Sequence, residues 1–464
     1  MSPDPPLVRS ARLLLDAAER GARFLASVDR RSVQPDPAAV ARLSRLAGPL
    51  PDGPTDPEEV LRMLDEEGSP ATVASVGGRY FGFVIGGVLP ASLGANTLAG
   101  AWDQCAGMRA ASPLGAALEE AAGAWLLELL GLDARAGVGF VTGATTANLA
   151  AIAAARRALL LALGWDVERQ GLFGAPAFPV VVGEEVHASV GKALGLLGLG
   201  RERVLSVPID DQGRMRPECL PRLDEPALVC IQAGNVNSGA FDPAARIVEA
   251  VHGSGSWVHV DGAFGLWACA SPTRAASVQG LAEADSWSLD AHKWLNVPYD
   301  SGMVIVRDPA HLRGAMRATA PYLVSGERPD PTDHTPEMSR RARGVEVWAA
   351  LRSLGRAGVS ELIERCCAHA TRFAERLSRA GYEILNEVVL NQVLVSFGSD
   401  ARTDAVVKEV QREGTCWCGG TTWRGRRAMR ISVSSWATTE DDVERSARAM
   451  LAAAERCGAH PSSE

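Results

Sequence analysis

The chain's nine cysteines are an odd number, and none stands in the spacing of a metal or redox motif: Cys366 and Cys367 are adjacent, and Cys416-Trp-Cys418 lacks the two-residue gap of zinc and thioredoxin-like sites. A disulfide framework and a cysteine-bound metal are thereby set aside, and the thiols are expected to be reduced and structural. No long apolar stretch runs uninterrupted by charge, so no membrane span is expected. Massed basic charge is missing too, and a formal net charge of -8 with scattered lysines and arginines argues against a nucleic-acid surface. The local exception, Arg424, Arg426, Arg427 and Arg430, sits in a strand-like stretch and reads better as the lining of a pocket or an interface. The opening Met1-Ser-Pro-Asp-Pro-Pro6 has neither a basic start nor an apolar run with a cleavage site, which points to a cytoplasmic protein. A Gly-x-Gly-x-x-Gly turn after the first strand is also lacking, since the glycines from Gly131 to Gly143 fall in the wrong order, and this disfavours a dinucleotide-binding oxidoreductase.

What is present is a chain of 464 residues with 47% hydrophobic content, long enough to split into two or three subdomains. Residues 1–70 hold amphipathic helical patterns such as Val8 to Val28, separated by the Pro- and Asp-rich stretch Pro51 to Pro57, and are expected to form an N-terminal helical arm. Over residues 71–345, short apolar strands alternate with helical segments: Gly137 to Val141 then Ala147 to Leu163, Val180 to Val182 then Ala188 to Leu197, Ala227 to Gln232 then Pro243 to His252, and then Trp257 to Val260. Continuous apolar strands each followed by a helix predict an α/β domain with a mostly parallel sheet covered on both faces. Residues 346–464 read as a long helix, strands Gln392 to Phe397 and Met429 to Val433, and a terminal helix Thr439 to Arg456, making a smaller α+β domain.

Ligands of open parallel sheets bind at the carboxyl ends of the strands, and four places there carry chemistry. Phe140-Val-Thr-Gly-Ala-Thr-Thr-Ala-Asn148 takes a strand into a helix through Gly143, so its backbone N–H groups and the Thr145 and Thr146 hydroxyls can cradle a phosphate; a simple helix cap explains it equally well. Trp257-Val-His-Val-Asp-Gly-Ala-Phe264 delivers the Asp261 carboxylate to a strand end, where it can hold a pyridinium nitrogen protonated or merely cap a turn. Lys293, in Asp290-Ala-His-Lys-Trp294, has the apolar neighbours an amine needs if it is to attack an aldehyde in its neutral form. His187, in Glu184-Glu-Val-His-Ala-Ser189, can stack on a flat ring, relay a proton or serve as a hydrogen-bonded structural histidine. Each alone is ambiguous; their succession along one strand-helix alternation is what points to a single site.

From about Arg79 to Val443 the sequence resembles the group II pyridoxal 5′-phosphate (PLP) decarboxylases, the family of aromatic-L-amino-acid, glutamate, histidine and diaminobutyrate decarboxylases, of fold-type I. The resemblance rests on Arg79-Tyr-Phe-Gly-Phe83, Ser112-Pro113 before the helix with Glu119, the loop 142–148, Val186-His-Ala-Ser189, Gly234-Asn-Val-Asn-Ser-Gly-Ala-Phe-Asp242, His259-Val-Asp-Gly-Ala263 and Asp290-Ala-His-Lys-Trp-Leu-Asn-Val-Pro298. It implies that Lys293 holds PLP as a Schiff base, that Asp261 meets the pyridine nitrogen, and that His187 and Ala263 lie on opposite faces of the ring. It further implies phosphate contacts from Gly143, Ala144, Thr145 and Thr146, a phosphate or carboxylate contact from His292, a contact from Asn237 near the ring oxygen, and a homodimer with its site at the subunit interface. The expected reaction is α-decarboxylation of an L-amino acid to an amine and CO2, with no metal. Positions resembling the family's pocket wall are Phe83, Val84, Ile85, Gly86, Trp102 and Cys105, with room at the glycines; an aromatic or bulky apolar side chain fits that wall, and Arg109 nearby could pair with a carboxylate or form an interface ion pair.

One segment departs from the family. The mobile loop whose tyrosine returns a proton to Cα is here shortened to about Pro321 to Arg343, and its only tyrosine, Tyr322, stands near the start. Aligned backward from Ser339-Arg-Arg-Ala-Arg343, Pro331 falls opposite that tyrosine; aligned on the Asp-Tyr-Thr-Pro run of bacterial relatives, His334 of Asp333-His-Thr-Pro336 does, and it is the favoured candidate proton donor, a solvent-exposed loop histidine being the plain alternative. Loss of that acid can divert the reaction to oxidative deamination giving an aldehyde, or to an aminotransferase-like course, and these stand as the alternatives to simple decarboxylation.

Overall fold

The computed structural model describes residues 6–318 and 328–458, so Pro321 and Tyr322 lie outside the described residues. The N-terminal part is helical: α1 (Pro6–Ser27), α2 (Pro37–Arg42), α3 (Pro57–Met63), α4 (Pro90–Trp102) and α5 (Pro113–Leu130). Proline opens each of them, where its fixed φ suits a first turn and its missing N–H is not needed. Asp36, Asp56 and Ser112 cap α2, α3 and α5 by accepting the N–H of Ala38, Glu58 and Gly115. Along α1, Leu7, Val8, Leu14, Leu15 and Leu25 remain exposed, an apolar set uncovered among the described residues.

The large sheet has seven strands: β1 (Gly137–Val141), β2 (Val180–Gly183), β3 (Leu205–Val207), β4 (Leu228–Gln232), β5 (Trp257–Asp261), β6 (Ser286–Asp290) and β7 (Gly302–Val306), in the order β1-β7-β6-β5-β4-β2-β3. Only β7 runs against the others, pairing antiparallel with β1 and β6. Helices α6 (Ala144–Ala162), α7 (Val167–Gln170), α8 (Ala188–Leu196), α9 (Ala244–His252) and α10 (Pro309–Met316) follow or join the strands. One face of the sheet packs on α6, α8 and α10 through Ala147, Ala151, Val190 and Leu312, and the other on α5 and α9 through Leu126, Ile247 and Val251. Burial on both faces is why the strands are apolar runs rather than alternations.

Along β5 and β6 that rule breaks on one face. Trp257, His259 and Asp261 alternate with Val258 and Val260, and Ser286, Ser288 and Asp290 alternate with Trp287 and Leu289, all ten buried. The register pairs His259 with Ser286 and Asp261 with Ser288, so a stripe of polar groups lies inside the protein beneath α6. Buried polar atoms must find hydrogen-bond partners, and this stripe leads straight to the strand ends.

The long α11 (Gly344–Arg379), broken at Gly355 by a φ of 60°, bridges from α4 and α5 to a second sheet of β8 (Glu383–Ile384), β9 (Gln392–Ser396), β10 (Gly419–Trp423) and β11 (Arg426–Ser432), flanked by α12 (Asp400–Glu413) and α13 (Glu440–Gly458). Its order is β10-β11-β9-β8, wholly antiparallel. Among the described residues no helix is long and apolar enough to cross a membrane, and all nine cysteines are free.

The segment leading into α11 is anchored by a buried fork: Arg340 donates from Nη1 and Nη2 to the two Glu119 oxygens of α5 at 2.6 and 2.8 Å. Removing one partner strands a buried charge. Glu119→Leu is therefore expected to cost roughly 3–5 kcal/mol in chemical denaturation, and Arg340→Met placed on top of it to recover most of that loss. A double variant no more stable than the single one would show that the pair is not the anchor.

Candidate active site

The sequence-predicted residues collect at the carboxyl edge of the large sheet. β1 ends in Thr142 and Gly143, and α6 starts with no side chain capping its N-terminus. The first-turn N–H groups of such an end have no helical carbonyl to bond and carry the positive end of the helix dipole. Thr145 is exposed there, while Thr146 shares a 2.7 Å hydroxyl contact with Thr142. The Ala144 N–H is already committed, donating to Asp290 Oδ1 at 2.6 Å. A Cβ on Gly143 would stand 3.0 Å from His292 Cε1 and 3.3 Å from that same Asp290 oxygen, so only glycine leaves the floor of this recess open.

β6 ends in Asp290, and the turn beyond it carries His292 and Lys293. The Lys293 side chain is 19% exposed, and its Nζ lies 3.2 Å from Asp290 Oδ2. His292 Nδ1 accepts the Ser301 N–H at 3.2 Å, and Tyr299 stacks on the ring at 4.3 Å between centroids. Burial lowers the His292 pKa, so the ring is neutral near pH 7. Gly86 presses on this turn from outside: a Cβ there would sit 1.8 Å from the Lys293 carbonyl oxygen. The space expected beside that glycine for a substrate is thus filled by backbone.

β5 ends in Asp261, buried. Its Oδ2 accepts from Asn148 Nδ2 at 3.2 Å and Ser189 Oγ at 3.3 Å, leaving Oδ1 with only a 3.3 Å contact from the Ala263 N–H. His187 follows β2 and caps α8. Its Nδ1 accepts the Ser189 N–H at 3.2 Å and lies 2.7 Å from the Ser189 hydroxyl, so the ring's proton resides on Nε2. Although the residue is exposed at the mouth, its ring edge sinks into the recess, and this burial lowers its pKa; the charges of Asp261, Lys293, Asp290 and Arg430 all reach it.

Arg430 of β11 closes the recess from the small sheet. Its Nη1 donates to the Val236 carbonyl at 3.1 Å, and among the described residues no carboxylate pairs with it. Burial pushes its pKa down. Beside it, Tyr80 stacks on Trp417 at 5.1 Å and Phe83 tilts on the same indole at 5.4 Å. Phe83 and Val84 hold positive φ values of 53° and 59°, a costly conformation for these side chains, with the turn closed by the Ile85 N–H on the Gly82 carbonyl at 3.0 Å. Asn237 is buried with its Oδ1 accepting from Thr421 at 2.9 Å.

Three expected residues stand elsewhere within the chain. His334 ends a short turn of 3-10 helix packed on β1, its Cδ2 beside Gly137, at the end of the strand opposite to Gly143. Burial lowers its pKa to about 4, which leaves little imidazolium near neutrality. Arg109 is ion-paired with Glu120 and donates to the Pro329 carbonyl at 3.1 Å, and Trp102 is an exposed residue at the end of α4. Conversely, Asp290, Asn148, Ser189 and Tyr299 were given no role by motif reasoning. Asn148 had a readable signal, a lone amide in the alanine-rich α6 four residues after Ala144 and hence on the same face.

The residues fit a phosphorylated aldehyde cofactor: a helix N-terminus with glycine at its N-cap and a free hydroxyl at Thr145, a cradle that a Cβ would fill, and an amine held by a carboxylate meet at one sheet edge. Comparison with known proteins agrees. The chain is 26% identical over 432 residues to an aromatic-L-amino-acid decarboxylase of Bacillus atrophaeus, covering 86% of each, and 31% identical over 286 residues to that of Drosophila lebanonensis, covering 58% of this chain and 70% of the relative. The structure of Oryza sativa TDC with PLP and tryptamine superposes with a TM-score of 0.89 at 23% identity, over 98% of this chain and 99% of that one, which establishes the fold. A family model described as the pyridoxal-dependent decarboxylase conserved domain matches residues 80–398, well over half of the sequence, and the chain belongs to that family.

Proposed function

We propose that the protein removes the α-carboxylate of an L-amino acid with an aromatic or bulky apolar side chain, using PLP held by Lys293. The observation that carries the reading is the convergence of Lys293, Asp290, Asp261 and His187 at the carboxyl ends of β2, β5 and β6, with the unpaired Arg430 facing them. Bound PLP supplies an electron sink conjugated to the substrate's Cα. Lys293 anchors it, and Asp290 steadies the Lys293 amine. Asp261 Oδ1, nearly free, is placed to hold a proton on the ring nitrogen. His187 and Ala263 flank the ring. The α6 N-terminus with Gly143, Thr145 and Thr146 holds the phosphate, His292 lines that end, and the Ala144 N–H serves indirectly by fixing Asp290. Asn237 borders the site through Thr421.

Arg430 is placed to bind the substrate's carboxylate, because a buried guanidinium without a counter-ion is costly until an anion arrives. Tyr80, Phe83 and Trp417 offer aromatic surface to the side chain; Val84, Ile85 and Gly86 shape the wall behind them. The exposed apolar set on α1, together with exposed Phe83 and Trp102, supports a homodimer whose site is completed at the subunit interface, and Arg109 and the segment around His334 belong to that boundary rather than to the chemistry within one chain. An arm of residues 1–70, a large domain 71–345 and a small domain 346–464 form the protomer, and a cytoplasmic location suits its reduced thiols.

Product analysis on a panel of L-amino acids, with and without oxygen, tests the reaction: CO2 and amine in equal amounts are expected, without aldehyde, ammonia or peroxide. Aldehyde as the main product in air would replace decarboxylation with its oxidative variant. Lys293→Ala is expected to lose the visible absorbance of the bound cofactor. In His334→Phe the ratio of amine to aldehyde is expected to stay as in the parent, and a rise in aldehyde would return that histidine to the proton-transfer role.

Arg430→Met should raise KM by roughly ten- to hundredfold, the value of one charge-assisted contact, while leaving cofactor affinity near that of the parent. An unchanged KM would mean that the carboxylate is held elsewhere.

A further inference from the structure

The buried polar stripe beneath α6 is a hydrogen-bond chain whose direction is set at one end. Indole nitrogen can only donate, so Trp257 Nε1–H points to Ser286 Oγ at 2.9 Å. Ser286 accepts it with one of its two lone pairs and keeps its hydroxyl proton for His259 Nδ1, 2.9 Å away, the arrangement that the acceptor-only Asp261 carboxylate requires at the far end of the chain. His259 is fully buried and held neutral by burial, so its single proton lies on Nε2 and is donated to Asn148 Oδ1 at 2.9 Å. The Asn148 amide is thereby oriented: its Nδ2 faces Ser189 Oγ at 3.0 Å and Asp261 Oδ2 at 3.2 Å.

We propose that His259, with Ser286 and Trp257 behind it, is a positioning residue that fixes the Asn148 amide with its N–H side toward Asp261, and through it sets how firmly Asp261 holds the cofactor's ring nitrogen. The inference rests on the reading that Asp261 meets that nitrogen. The alternative amide orientation would turn Asn148 Oδ1 onto the Asp261 carboxylate, a contact between two acceptors. The Asp261 carboxylate and the donor on His259 Nε2 discriminate from opposite sides of the amide, whereas the Ser189 hydroxyl accepts or donates with equal ease, so losing His259 removes one of the two constraints. The same orientation places an N–H on Ser189 Oγ and so leaves the Ser189 proton for His187 Nδ1 or Asp261, which keeps the His187 proton on Nε2, toward the recess.

The test follows the visible absorbance of the lysine-bound cofactor against pH in the purified holoenzyme, with cofactor dissociation measured alongside. A ring nitrogen held less firmly raises the pH at which the Lys293 linkage titrates. His259→Leu is expected to move that midpoint up by about one pH unit and to weaken cofactor retention roughly tenfold, the worth of one hydrogen bond between the states. His259→Gln, whose side-chain amide can still donate to Asn148, is expected to keep the parent midpoint. Asp261→Asn separates the two levels of inference: if it leaves the midpoint in place, the role of Asp261 is wrong; if it moves the midpoint while His259→Leu does not, the positioning role alone fails. Equal shifts in the Leu and Gln variants also overturn it, since loss of packing would act on both alike. Should His259→Leu yield no soluble protein, Ser286→Ala, which removes the hydroxyl that donates to His259 Nδ1 and so no longer holds the ring proton on Nε2, is expected to produce a smaller shift of the same sign, and no shift there overturns the proposal.

Discussion

A single buried amide ties the first turns of α6 to the carboxylate that ends β5. Asn148 projects from α6, one turn past its N-terminus, and meets Asp261 of β5, Ser189 of α8 and His259 of β5. Polar atoms at that depth cannot exchange their partners for water, so each contact constrains the others. The position of the α6 N-terminus, the aim of Asp261 and the tautomer of His187 are consequences of one set of bonds. Asp290 repeats the device on the next strand, gripping the Ala144 N–H with one oxygen and the Lys293 amine with the other.

The second requirement is that Lys293 be held by more than its own turn. The strap from Tyr80 to Leu89 does this. Its Phe81 N–H bonds the Trp417 carbonyl at 2.8 Å, Gly86 lies against the Lys293 carbonyl, and the Leu89 N–H bonds the Asn296 carbonyl at 2.8 Å. Asn296 in turn donates to the Ser434 carbonyl at 3.0 Å and accepts from the Trp436 N–H at 2.9 Å. The small sheet is therefore joined to the lysine turn by backbone bonds, with Arg430 carried on the same element. Catalytic groups from two sheets keep register because the strap is shared.

Much of this was legible in the residues. Apolar runs β1, β2, β4 and β5 announced a buried parallel sheet, and Asp261, Lys293 and the Gly143 turn stood where such sheets bind ligands. The strands less visible were β3, short and half-exposed at the edge, β7, which reverses direction without a sequence mark of doing so, and β10, whose Gly419-Gly-Thr-Thr-Trp423 lacks an apolar face. The network around Asn148 escaped because motif reading assigns roles to residues next to the cofactor, whereas His259 and Ser286 act one layer deeper. Period-two polar residues within two buried strands were the available signal. The setting of His334 was hidden for another reason: matching a loop position says nothing about packing, and Gly137 and Gly139 let its segment lie down on β1.

The strap also bears on the order in which the chain can acquire its cofactor during synthesis. Domains emerge and fold from the N-terminus, yet the partners that frame the Lys293 turn, at Trp417, Ser434 and Trp436, leave the ribosome well after the lysine does. A nascent chain that has completed the large sheet has its lysine and its phosphate cradle but not the lid of backbone bonds that fixes them. Enclosure of the Lys293 turn thus has to wait for synthesis through Trp436, and a chain cut short of that point would leave the turn without its frame.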